Sequence, residues 1–314
     1  MSRLRIGISS CLLGDEVRFD GGHKRDSFLT GTLAPFVEWV RVCPEVEIGL
    51  GIPRETLRLV RVGDDSRMIT TRSGIDHTDK MRAYAVRRTK QLAAMGLRGY
   101  VLKKDSPSCG MERVKVYENG AAARSGVGTY AEVLKARFPS LPIEEEGRLC
   151  DPVLRENFIE RVFAYDRLRA LLDGRWTLGA LVAFHTAHKM ALLAHSTSAY
   201  QALGRLVAEG KALSRPELQR QYEEGFMSTL ARRATTKRHT NVLMHMAGHL
   251  KNLVDAGSKQ ELADAIEAYH GGLVPLVVPL TLLRHYVRVH GLSYLAGQTY
   301  LDPHPRELML RNHV

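Results

Sequence analysis

The chain has 314 residues, 44% hydrophobic and 25% charged, the balance of an ordinary globular protein long enough for about two domains. Its net charge is +11, and no stretch approaches the ~20 apolar residues that a membrane span needs. The short apolar run at the N-terminus has no A-x-A-like cleavage site behind it, so the expected setting is cytoplasmic and reducing, with thiols left free.

Taken in order, RLRIGISSC reads as a buried first strand that ends at Cys11. DGGHK at 20–24 marks a loop, with His23 and Lys24 placed to grip a substrate. WVRVCPEVEIGLG is a second β-type stretch, with Cys43 and Pro44 where the strand should stop. LRLVRVG and SRMITTRSG, parted by Asp64 and Asp65, predict a hairpin. Residues 76–95 predict a helix stopped at Gly96. RGYVLKK is a strand that leads into KKDSPSCG, where proline and glycine impose a tight turn around Cys109. SGVGTYAEVLKARF opens a helix after small residues, and LPIEEE reads as a last strand. Strands alternating with helices predict an α/β domain over 1–150, Rossmann-like and built on a mostly parallel sheet.

After Cys150-Asp151-Pro152 the pattern changes. Segments such as ENFIERVFAYDRLRALLD, TLGALVAFHTAHKMALLAH and VPLTLLRHYVRVHGL have a 3.6-residue period. Residues 151–314 are therefore expected to form an all-α domain.

Three of the four cysteines share a context. Cys11, Cys43 and Cys109 each follow a predicted strand, and the carboxyl ends of parallel strands lie along one edge, where ligands bind. Buried free cysteines are the plain alternative. Three converging thiolates suggest a [4Fe–4S] cluster with one iron open, and zinc on three cysteines competes with it. Cys150 reads as a bystander.

Here a family resemblance enters. GISSCLLGDEVRFDGGHK, VCPEVEIGLGIPRE, and VLKKDSPSCG followed by GVGTYAEVLK resemble, in order, the motifs of the TudS-like thiouracil desulfidase family. AFHTAHKMALLAHS and TTKRHTNVLMHMAGHLK resemble the YbgA-like helical domain fused to it in RudS-type proteins. The resemblance implies removal of sulfur from thiolated uracil, with 4-thiouridine of tRNA as the substrate of the fused form. It also implies a [4Fe–4S] cluster on Cys11, Cys43 and Cys109, with Glu45 and Ser106 as catalytic candidates. Glu45, two residues from a ligand, is placed to act as a general base. Ser106 is placed to orient water, against the plain reading of a turn-capping hydroxyl. Ser108 is the weaker alternative, and Lys103 and Lys104 lie within reach of a phosphate.

SGVGTY at 125–130 resembles a fragment of a phosphate-binding glycine loop, but without the full motif no dinucleotide is assigned. In the helical half no acid lies between Glu224 and Asp255. That window carries Arg232, Arg233, Lys237, Arg238 and Lys251, a candidate phosphate-tracking surface for RNA. Val242, Met246, Leu250 and Leu253 predict the apolar stripe of its helix. His185, His188 and His195 are expected as hydrogen-bonded, partly buried side chains. Two further functions stay open: the same chemistry on free thiouracil or a thio-nucleotide only, and a nucleic-acid-binding regulator with a structural metal.

Overall fold

A computed structural model describes residues 3–313. The chain divides into two compact units, 1–150 and 151–314. Among the described residues no helix is long and apolar enough to cross a membrane.

Among the described residues the first unit has eight strands: β1 (Leu4–Ser9), β2 (Val37–Val42), β3 (Leu57–Val62), β4 (Asp65–Thr70), β5 (Gly99–Leu102), β6 (Val114–Glu118), β7 (Ala121–Gly126) and β8 (Ile143–Glu145). One sheet runs β2-β1-β5-β8, with every neighbouring pair parallel. Ile6, Ile8, Val101 and Leu102 are fully buried in it, as expected of parallel strands covered on both faces. The second sheet runs β4-β3-β6-β7, two antiparallel hairpins joined by a parallel β3–β6 pair. The unit also contains helices α1 (Pro44–Glu47), α2 (Thr78–Ala93) and α3 (Thr129–Arg137), with short 3-10 or π segments at Ser10–Leu13, Phe28–Leu33, Ala34–Phe36 and Arg148–Cys150.

Strand β2 ends at Val42, as Cys43 and Pro44 predict, and a helical turn follows because Pro44 sits at its first position and Glu45 and Glu47 lie in its first turn. The β6–β7 hairpin was not anticipated. Its turn is Asn119-Gly120, both with positive φ (47° and 83°), the geometry that two-residue hairpins favour.

The second unit is helical: α4 (Pro152–Leu172), α5 (Leu178–Ala187), α6 (Lys189–His195), α7 (Thr197–Ala208), α8 (Arg215–Leu230), α9 (Thr236–Gly248), α10 (Ala256–His270), α11 (Val277–Val289) and α12 (Ser293–Ala296). Leu243, Met246, Leu280, Leu283 and Tyr300 are fully buried in one core. Helix α9 ends at Gly248, before the expected stripe does, so Val242, Met246 and Leu250 are buried while Leu253 is 44% exposed.

Candidate functional site

The topology brings the three cysteines together. Cys11 lies in the 3-10 turn after β1, Cys43 caps α1 after β2, and Cys109 lies in the loop after β5. Because β2, β1 and β5 are parallel neighbours, their carboxyl ends share one edge. There a cavity of about 350 Å³ is lined by all three cysteines together with Glu45, Arg54, Ser106 and Ser108. Cys150 is exposed and lies outside it.

Burial, with the neighbouring Cys43, pushes the Cys11 thiol up to about 11. Burial raises Cys109 further, against a hydrogen bond from Ser9, and raises Cys43 as well. All three are therefore thiols at neutral pH, and a metal taking them as ligands must displace their protons.

The Glu45 carboxylate is held at both oxygens. Its Oε2 accepts from Arg54 Nε (2.9 Å) and Nη2 (2.7 Å), and its Oε1 accepts from Ser108 Oγ at 2.7 Å. Arg54, 6% exposed, also donates to the carbonyls of Val17 (2.9 Å) and Gly51 (3.1 Å), and its own amide donates to the Phe19 carbonyl. One guanidinium thus ties the Glu45 turn to the loop that carries Arg18, Phe19 and Lys24.

The serines have divided roles. Ser108, 1% exposed, gives its proton to Glu45, so the 3.0 Å contact between the two hydroxyls has Ser106 as donor. Ser106 Oγ in turn accepts the amides of Cys109 (3.1 Å) and Ser108 (3.3 Å). Ser106 therefore caps the cysteine turn and feeds a chain of hydrogen bonds ending at Glu45. The serine in direct contact with Glu45 is Ser108, the weaker candidate in the sequence.

Lys24 and Lys104 are exposed and line the cavity with Arg18 and Lys103, which makes its surroundings cationic. Lys103 is paired with Glu146. His23 is not among the lining residues; its Nδ1 accepts the Arg25 amide at 3.2 Å. Arg18, Phe19 and Arg54 were missed as site residues, although RFDG and IPRE lay inside the quoted motifs.

The SGVGTY stretch serves the cysteine turn. The amides of Thr129, Tyr130 and Ala131 donate to the carbonyls of Pro107 and Ser108, so the start of α3 is already occupied by backbone. Gly128 donates to the Gly110 carbonyl at 2.7 Å, and a Cβ on it would meet the Ser108 carbonyl oxygen at 2.5 Å and the Gly110 nitrogen at 2.8 Å. Backbone cannot swing aside as a side chain can. Gly128→Ala is expected to displace the Cys109 turn and cost about 1–3 kcal/mol, as overpacking does; thermal unfolding and iron content of the variant check this.

In the second unit Arg233, Lys237 and Arg238 are exposed around the start of α9, with no ion pair among the described residues. Arg232 is also exposed but donates to Ser196 Oγ at 3.2 Å. Lys251 lies past the other end of this 13-residue helix, about 20 Å away, so the five do not form one patch. His185, His188 and His195 are buried and bonded to Tyr222, to Phe184 and Arg167, and to the Arg232 carbonyl respectively.

The comparisons with known proteins divide at the same place as the fold. The family model "2-thiouracil desulfurase" matches residues 6–146, and a model for a domain of unknown function, DUF1722, matches 189–305. YbgA of Escherichia coli (strain K12), an uncharacterized protein, is 35% identical over 153 residues, 48% of this chain and 90% of its own length. YbbK of Bacillus subtilis (strain 168), also uncharacterized, is 30% identical over 135 residues, 41% of this chain and 89% of YbbK. The chain joins the 2-thiouracil desulfurase family to the YbgA family. A solved [4Fe-4S]-dependent thiouracil desulfidase, TudS, is 30% identical and covers 48% of this chain and 95% of its own, at a TM-score of 0.39.

The donor set of the desulfurase-family unit fits an iron–sulfur cluster. Three soft thiols lining one cavity suit a cluster, in which each cysteine binds a different iron.

Proposed function

We propose that this chain is an iron–sulfur desulfidase that converts 4-thiouridine to uridine, in tRNA or in a nucleotide derived from it. The observation that carries the reading is the cavity holding Cys11, Cys43 and Cys109 beside an anchored Glu45. The three cysteines would hold a [4Fe–4S] cluster. Bound there with one iron free of cysteine, it supplies a Lewis acid for the soft thiocarbonyl sulfur. The overall reaction adds water and releases hydrogen sulfide, with no net electron transfer. Glu45 accepts the proton of the attacking water, and Ser108 and Arg54 hold its carboxylate towards the cavity. Ser106 keeps the Cys109 turn and Ser108 in place. Lys24 and Lys104, with Arg18, supply positive charge for a substrate phosphate, which supports a nucleotide or RNA over the free base.

The basic residues around α9 support RNA as the larger substrate, contacted through phosphates rather than bases. Reversing Lys237 and Arg238 to Glu is expected to weaken tRNA binding and to flatten its salt dependence by roughly one phosphate contact per residue. Turnover of 4-thio-UMP should not change. Binding titrations between 50 and 200 mM salt check this.

The deciding experiment incubates anaerobically purified, iron-loaded protein with thiolated tRNA, with 4-thio-UMP and with thiouracil, following loss of the thiocarbonyl absorbance. Conversion of tRNA that requires iron supports the proposal. Conversion of the nucleotide alone moves the substrate to small molecules, and no conversion of any of the three refutes the desulfidase reading.

A further inference from the structure

The second unit holds a cavity that the desulfidase reading leaves unused. It measures about 630 Å³, within the ~300–1,000 Å³ range of small-molecule sites. Its lining includes charged groups that a helical core does not need. Glu160 and His195 are 5% and 1% exposed. Glu156, also in the lining, accepts from Arg311 Nε at 2.9 Å, and Arg311 lies 3.9 Å from Glu160. Two carboxylates of the lining thus share one buried guanidinium, with His313 Nε2 3.6 Å from Glu156 as a further neighbour.

A second observation points to a ligand. His195 has its Nδ1 bonded to the Arg232 carbonyl, while its Nε2 has no hydrogen-bond partner among the described residues. Its charged neighbour is Glu160, whose Oε2 stands 3.5 Å away as an ion-pair contact. Buried polar nitrogens are rarely left this way. His239, beside it, bonds Tyr300 Oη through Nδ1 at 2.8 Å and is pushed by burial down to about 3, so it faces the cavity uncharged.

The same cavity also has exposed cationic and hydroxyl-bearing lining residues, next in sequence to the Arg232 carbonyl that His195 bonds. Arg233, Thr235 and Thr236 are exposed there, at the start of the 13-residue α9. Thr235 caps the Arg238 amide, and the first-turn amides of Thr236 and Lys237 have no intrahelical acceptor. Such a turn with an arginine beside it favours a phosphate. Val153, Leu276 and the ring of Tyr269 line the cavity as well. A ligand matching this lining carries an anionic group, a flat and partly apolar part, and N–H donors.

We infer that this cavity binds a phosphorylated nucleoside, with its phosphate against Arg233 and the first turn of α9 and the amino edge of its base against Glu160 and His195. A free nucleotide and an unpaired nucleotide at an RNA end present the same chemistry. The site lies wholly within residues 153–313, which contain no cysteine, so it stands or falls independently of the desulfidase reading.

Calorimetric titration of the full-length protein with AMP, adenosine, ribose 5-phosphate and inorganic phosphate tests it. AMP should bind at least about tenfold more tightly than any of its parts. Arg233→Ala should weaken AMP about tenfold and leave adenosine unchanged, whereas Glu160→Gln should weaken both. Arg233 is exposed, so its variant carries the test even if Glu160→Gln fails to fold. Phosphate binding as tightly as AMP, AMP binding unaltered in Arg233→Ala, or no binding at all overturns the inference. Competition of AMP by an RNA hairpin with an unpaired 3′ adenosine, but not by its blunt form, identifies an RNA end as the source. Absence of competition by either hairpin identifies the free nucleotide.

Discussion

Glu45→Gln is expected to lower turnover about 10²–10⁴-fold, the usual contribution of a general base, while iron content and visible absorption stay as they were. The side-chain volume is preserved, and the glutamine carbonyl still accepts from one neighbour. Its amide, however, must face either Ser108 or the Arg54 guanidinium, and both are donors towards this residue. Arg54→Ala takes the complementary route. It keeps the carboxylate but removes two charge-assisted bonds, and it frees the Val17 carbonyl from the same guanidinium. Its expected signature is a fall in kcat larger than the rise in KM, partly restored by added guanidinium and not by Arg54→Lys, which lacks the planar fork. Single-turnover assays on 4-thio-UMP separate the two variants. Turnover of Glu45→Gln within about threefold of the parent rules out the base role.

The parallel sheet and the three cysteines were legible because both depend on local signals: apolar runs, then a cysteine beside proline or glycine. Convergence of Cys11, Cys43 and Cys109 then follows from topology alone, since parallel neighbours end on one edge. Side-chain partnership was not legible in the same way. Arg54 and Glu45 are nine residues apart across an irregular loop, and no periodicity relates them. The division of labour between Ser106 and Ser108 depends on which hydroxyl reaches a carboxylate 63 residues away. The β6–β7 hairpin had its signal, Asn119-Gly120, but its β7 strand reads AAARSG, without the β-branched or aromatic residues that mark a strand. Leu253 was placed in the core by extending a 3.6-residue period past Gly248, where the helix has already ended. SGVGTY looked like a phosphate loop because close backbone approach calls for glycine whatever approaches; here it is the Cys109 turn.

Cys109→Ala is expected to abolish both the iron chromophore and turnover, and Cys150→Ser neither. Cys109 is 5% exposed, and its turn is fixed by Ser106, Gly110 and the first amides of α3, so no neighbouring side chain can replace the lost sulfur. The apo and iron-loaded proteins should also differ in their response to alkali, and the sign follows from burial. In the apo fold the Cys11 thiol is raised from 9.0 to about 11, and Cys43 and Cys109 are raised too. The stability this contributes is fully present below pH 9 and is lost as pH rises towards about 11, because the unfolded chain releases these protons first. Once iron has displaced the protons, that dependence disappears, and loading becomes more favourable as pH rises through the same range. Thermal melts of both forms between pH 8 and 11 check the contrast. Parallel curves would mean that the three thiols are not the ligands, whatever the activity of the loaded enzyme.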